Sequence, residues 1–150
     1  MNWSWTDFDG LTARELYTVL QLRQAVFVVE QTCPYLDADG RDEAAWHLRG
    51  LATDGTLVAY LRAFGPDADG YIHLGRVIVA GARRGEGLGY TLMRHGAARA
   101  LDQWGPHPIH LSAQAHLAAF YGTLGYTVVG EPYLEDDIPH IAMQKPFSSP

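Results

Sequence analysis

Thirteen consecutive residues constrain this chain more than any others: Val77-Ile78-Val79-Ala80-Gly81-Ala82-Arg83-Arg84-Gly85-Glu86-Gly87-Leu88-Gly89. The β-branched apolar run reads as a strand, the glycines as a tight turn, and Tyr90 to Ala100 as a helix-compatible run. A strand that opens through glycines onto a helix N-terminus makes an anion site. The first-turn amides have no partner inside the helix, and the macrodipole adds roughly half a positive charge there. Glycines at 85, 87 and 89 admit left-handed dihedrals and let a ligand approach the main chain. Taken alone the segment could be an ordinary surface turn; its chemistry is that of a pyrophosphate cradle built by Arg84, Gly85, Glu86, Gly87, Leu88, Gly89 and Tyr90.

Two common phosphate loops do not fit. A Walker loop ends in Gly-Lys-Ser/Thr, whereas Gly89 is followed by Tyr90 and Thr91. A dinucleotide fingerprint needs Gly-x-Gly-x-x-Gly after a βαβ pattern, and the spacing here is Gly-x-Gly-x-Gly.

The rest of the chain supplies the frame. Its 150 residues suit one domain, spanning 1–150, with a sizeable core. A net charge of −6 argues against a nucleic-acid or anionic-membrane partner, each of which asks for a basic face. Cys33 is the one cysteine, so no internal disulfide forms; it reads as a small buried hydrophobe or, less simply, a nucleophile. The N-terminal residues lack a basic segment followed by an apolar one, and no apolar run reaches membrane-spanning length. A cytoplasmic protein, monomer or homodimer, is the expectation.

Trp3 to Phe8 alternates as a half-buried strand, and the capping box Thr12-x-x-Glu15 opens a helix that runs to about Val29. Residues 31–45 are acidic and irregular, either a solvated loop or a substrate-facing lid. Their Asp-x-Asp run lacks the glycine and glutamate that a calcium loop places at its sixth and twelfth positions. Strands follow over Trp46–Thr53, Leu57–Phe64 and Tyr71–Val79, then a helix from the Gly-rich loop to Gly105-Pro106. A strand over Ile109–Ala113, a helix ending at Gly125, and strands at Thr127–Val129 and Ile138–Gln144 complete the order β-α-βββ-α-β-α-β-β. The seven histidines show no metal-ligand spacing, and no metal is expected.

Arg84-x-x-Gly87-x-Gly89 resembles the Gln/Arg-x-x-Gly-x-Gly/Ala motif of the GNAT superfamily of acyl-CoA N-acyltransferases. About thirty residues on, Leu117-Ala118-Ala119-Phe120-Tyr121-Gly122-Thr123-Leu124-Gly125-Tyr126 resembles that superfamily's second signature. Finer segments look like its ElaA-like branch: Val26 to Tyr35, Asp37-x-Asp39-Gly40, Gly75-Arg76-Val77, Ala113-Gln114-Ala115-His116 and Asp137-Ile138-Pro139-His140. The resemblance implies an α/β (α+β-type) GNAT fold, a central mixed sheet flanked by helices. It also implies acetyl transfer from acetyl-CoA, as co-substrate, to the primary amine of a small molecule, or less simply of a protein, by direct attack in a ternary complex. A non-catalytic acyl-CoA-binding module and an acyltransferase using longer donors are the alternatives.

The resemblance also implies roles. The backbone N–H of Val77 stabilises the thioester oxyanion, the Val77-Ile78-Val79 main chain pairs with the pantetheine arm, and Tyr121 is the acid for the leaving thiolate. By itself Tyr121, beside Phe120, reads equally as a core aromatic. Gln114 stands where the superfamily often has Asn, facing the pantetheine. An amine of pKa ~10.4 is neutral in only roughly one molecule in a few thousand at pH 7, so a base is useful. His73, placed four residues before Val77 on the same strand face, Glu30 and His140 are the candidates for base or substrate contact. Glu30 and the acids from Asp37 to Glu43 are expected to favour cationic acceptors.

Overall fold

The computed structural model describes residues 1–147. Strand β1 (Asn2–Asp7) leads to α1 (Ala13–Arg23), whose capping box is present: Thr12 accepts from the Glu15 amide, and Glu15 accepts from the Thr12 amide. From Gln24 to Glu30 the helix continues in the wider π form, closed by Gln31 N–H to Val26 C=O. Strands β2 (Trp46–Leu51), β3 (Leu57–Phe64) and β4 (Ile72–Val79) form an antiparallel meander. Then come α2 (Leu88–Trp104), β5 (Ile109–Gln114), α3 (Ala118–Thr123), β6 (Thr127–Val128), β7 (Tyr133–Glu135) and β8 (Ile138–Lys145).

These strands make one sheet in the order β1-β2-β3-β4-β5-β8-β6, with β7 also paired to β8. Every pairing is antiparallel except β4 with β5. Helix α1 covers one face, packing Val19 and Leu22 near Tyr60 and Ile78. Helices α2 and α3 cover the other, where Leu92, Met93, Ala100 and Tyr121 join Leu61, Leu74 and Leu111. The α2 contact is close: a Cβ on Gly96 would meet Leu61 Cδ2 at 2.6 Å.

The order expected from the sequence holds, with one addition. Strand β7 and its hairpin to β8 were not foreseen. The turn residues Asp136 and Asp137 both adopt left-handed dihedrals, φ 52° and 62°, which Asp tolerates better than most residues.

The acidic segment also differs from expectation. Asp37, Asp39 and Asp42 turn toward the sheet, where arginines hold them. Arg23, fully buried, donates to Asp37 Oδ2 at 2.7 Å and to Asp42 Oδ1 at 2.6 Å. Arg62 pairs with Asp39 at 2.6 Å and with Asp42 at 2.9 Å, and Arg76 with Asp37 at 2.8 Å. A buried guanidinium needs such partners, because desolvation would otherwise cost several kcal/mol. The segment is thus an ion-paired strap on the α1 side of the sheet. His47 completes it, donating from Nε2 to the Asp42 carbonyl at 3.0 Å and accepting from Tyr60 Oη–H at 2.6 Å.

Candidate active site

The site begins where two strands part. β4 and β5 pair only at Ile72–Ile109 and His73–His110, while β5 stays paired to β8 as far as Gln114–His140. Beyond His73 one edge of β4 therefore opens onto a gap. Ala80 N–H donates to Val58 C=O toward β3, so alternation turns the Val79 and Val77 main-chain groups away from β3 and into that gap. The outward Val79 carbonyl accepts from Arg84 Nε at 3.1 Å.

A bulge sets this orientation. The β3–β4 register shifts between Tyr60 and Arg62, and Arg76 has φ +51°, a conformation that costs a non-glycine residue about 1–2 kcal/mol. Asp37 and Asp39 grip its guanidinium. The bulge swaps the faces of the strand: Ile72 and Leu74 face the α2 side before it, and Val77 and Val79 face that side after it. His73 and Val77 consequently lie on opposite faces, which corrects the expectation that they share one. His73 instead pairs with Asp67 at 2.7 Å and packs against His110, away from the gap.

A cavity of about 120 Å³ occupies the gap, and it brings together Val77, Gln114, Tyr121 and His140. Its other walls come from the π-helical turn (Phe27, Gln31), the Cys33–Asp37 segment, and Glu135 and Asp136 of the β7–β8 hairpin. Gln114 Nε2 donates to Gln31 Oε1 at 3.3 Å, linking β5 to the π turn across the gap. Tyr121 is 6% exposed, and burial pushes its phenol up to about 12. Its hydroxyl makes none of the hydrogen bonds found among the described residues, so it is free to donate to a ligand.

His140 projects from β8. Its Nδ1–H donates to the Ile138 carbonyl at 2.7 Å, which leaves Nε2 as the ring nitrogen on the Glu135 side of the cavity. Glu135 Oε2 lies 3.4 Å from that nitrogen. Glu135 and Asp136 were missed in the sequence. In the hairpin Glu135 stands opposite Ile138, so it reaches His140 along the diagonal. A two-residue Asp-Asp turn with Glu135 just before it and His140 three residues after it is the signal that could have revealed the pair.

The Gly-rich loop lies beyond the cavity, joined to it through Val77–Val79. Gly85 and Gly87 have φ +84° and +75°, and a Cβ on either would meet nothing within 4 Å. Gly87 caps α2 in the left-handed conformation and supplies no side-chain acceptor, so the amides of the first turn are unfilled. Unfilled amides at a helix N-terminus are donors that an anion can use. Glu30 does not line the cavity. It makes a two-point ion pair with Arg84, whose second contact measures 3.0 Å, and its carboxyl is held below the usual range by that hydrogen bond. Cys33 does line the cavity. Its thiol donates to the Asp136 carbonyl at 3.1 Å, and desolvation pushes its pKa up, the opposite of nucleophile activation. Among the described residues, no group of three or more His, Cys, Asp or Glu could hold a metal ion, and no helix is long and apolar enough to cross a membrane.

Comparison with known proteins agrees with this geometry. A family model described as an acetyltransferase (GNAT) domain matches residues 38–147. Protein ElaA of Escherichia coli is 44% identical over 148 residues, 97% of this chain and 96% of ElaA. The crystal structure of ElaA superposes with a TM-score of 0.89 over 96% of this chain and 98% of that one. The crystal structure of an acyl-CoA N-acyltransferase from Pseudomonas aeruginosa is 48% identical, with a TM-score of 0.91 and the same coverage, 96% and 98%. A Synechocystis UPF0039 protein is 43% identical over 145 residues, 95% of this chain and 94% of its own length. With the splayed strands, the glycine-capped helix and these relatives together, the chain belongs to the GNAT acyltransferase superfamily, in its ElaA-like branch.

Proposed function

We propose that this protein transfers an acetyl group from acetyl-CoA to the primary amine of a small molecule, by direct attack within a ternary complex, in the cytoplasm and as a monomer or homodimer. The observation that carries this is the β4–β5 gap, which leaves Val77, its main chain turned away from β3, in the wall of the same cavity as Tyr121. The unfilled α2 amides receive the pyrophosphate, with Arg84 to Tyr90 as the cradle and Gln114 beside the pantetheine arm. Val77 N–H stabilises the oxyanion as the amine adds to the thioester carbon; the carbon–sulfur bond then breaks. A free thiol at Cys33 suits a reducing compartment.

Tyr121 hydrogen-bonds the leaving sulfur. Full transfer from a phenol at about 12 to a thiolate of ordinary pKa ~8.5 is uphill by about 5 kcal/mol. The phenol therefore stabilises the thiolate by sharing its proton, which is a strong donor role across the physiological range. Release of free thiol from acetyl-CoA, followed over a panel of amines with mass spectrometry of the products, tests the reading. Thiol release coupled to an N-acetyl product is expected; binding of acetyl-CoA with no transfer to any amine would leave a binding module.

A further inference from the structure

Four of the five acids expected at the acceptor side are already bound. Asp37, Asp39 and Asp42 are ion-paired to Arg23, Arg62 and Arg76, and Glu30 to Arg84. The cavity nevertheless carries two carboxylates with no arginine or lysine against them, Glu135 and Asp136. Among the described residues, the one arginine or lysine in its lining, Arg76, is ion-paired to Asp37. Behind Glu135 stands a different kind of group: the side chain of His140, 9% exposed, with Nε2 on the Glu135 side and its tautomer fixed by Ile138.

From this juxtaposition we infer that Glu135 and His140 form the acceptor clamp. The ammonium of the incoming amine binds Glu135, His140 Nε2 removes its proton, and Asp136 rejects acceptors that carry a carboxylate beside the amine. The inference rests on the transferase reading above and names its substrate class, primary amines lacking an α-carboxylate.

The geometry suits the step. An ammonium nitrogen about 2.8 Å from each partner sits at the apex of a triangle whose base is the 3.4 Å gap between Glu135 Oε2 and His140 Nε2. Glu135 is half exposed (51%), so it binds an ammonium without a large desolvation cost of its own. The protons balance. Of the three on R–NH3⁺, one passes to His140 and then to solvent, one to the thiolate of CoA, and one stays on the amide nitrogen. One carbon–nitrogen bond forms and one carbon–sulfur bond breaks. After the transfer the imidazolium faces Glu135, which stabilises it.

The test uses the full chain and acetyl-CoA, with paired acceptors that differ only in the α-carboxylate: phenethylamine against phenylalanine, and tyramine against tyrosine. The wild type is expected to favour the decarboxylated member of each pair. Glu135→Gln with Asp136→Asn removes both charges and keeps a residue that tolerates left-handed dihedrals at 136. In it the amine KM rises about tenfold or more while the KM for acetyl-CoA stays within about threefold. His140→Gln lowers kcat about 10²-fold with little change in the amine KM. A wild-type amine KM in the double variant, full turnover in His140→Gln, or wild-type preference for the α-carboxylated acceptors overturns the clamp and leaves the transferase reading standing. No acetyl transfer to any amine by the wild type overturns both.

Discussion

Gly87→Asp separates the phosphate cradle from the fold. A Cβ at this position meets no protein atom within 4 Å, so the substitution creates no internal clash. Its backbone cost is that of holding Asp at φ +75°, about 1 kcal/mol, or a fall in Tm of about 2–4 °C. Its ligand cost is larger. The new carboxylate sits at the N-terminus of α2, about 4 Å from where a pyrophosphate oxygen would lie. Two unit charges at that distance repel by about 4 kcal/mol at an effective dielectric of 20. The loop is exposed, so counterions screen part of this, leaving about 2–3 kcal/mol. The affinity for CoA should therefore fall about 30- to 150-fold. Titration calorimetry with CoA at moderate salt, beside a thermal melt, gives both numbers. An affinity within about threefold of wild type in a folded variant would refute the assignment of the loop.

Three further outcomes follow from the same contacts. Tyr121→Phe keeps the ring in the core and removes an oxygen with no internal partner, so kcat should drop about 10²-fold with CoA affinity and Tm unchanged; undiminished turnover would return Tyr121 to a packing role. Arg23→Met strips the guanidinium from Asp37 and Asp42. The loss should be about 3 kcal/mol in urea unfolding, at the low end for a broken buried pair because Arg62 and Arg76 still face the carboxylates; a loss under about 1 kcal/mol would mean the strap does not depend on Arg23. Burial lowers the pKa of His47, so the unfolded chain takes up a proton near pH 6.5 that the folded one refuses. Stability should fall as pH drops below about 6.5, with a slope of up to about 1.4 kcal/mol per pH unit, and His47→Gln should flatten that limb in urea melts across pH 5–7.

The strand–glycine–helix order and the Tyr121 segment were legible because they are local. Strand periodicity, turn glycines and the α1 capping box each act within a few residues, and the observed elements follow them closely. What could not be read was long-range pairing. Nothing near Asp37 announces that Arg23, Arg62 and Arg76, from three other elements, converge on the acidic segment, so its acids looked free. Nor does Arg76 carry the glycine that usually marks a left-handed bulge; the ion pairs to Asp37 and Asp39 hold a side chain there, and His73 was assigned to the wrong face as a result. Glu135 escaped notice for a related reason. It meets His140 only because Asp136 and Asp137 turn the chain in two residues, a role more often given to Asn-Gly.

Direct attack in a ternary complex is the central chemical claim, and steady-state kinetics tests it most directly. Initial rates measured while acetyl-CoA and a good amine acceptor are varied together should give intersecting double-reciprocal lines. Intact-protein mass spectrometry after acetyl-CoA alone should show no added acetyl group, in keeping with a Cys33 thiol whose pKa is raised and which is hydrogen-bonded to Asp136. Parallel lines together with an acetyl adduct on Cys33 would contradict the account and make the cavity thiol a covalent relay.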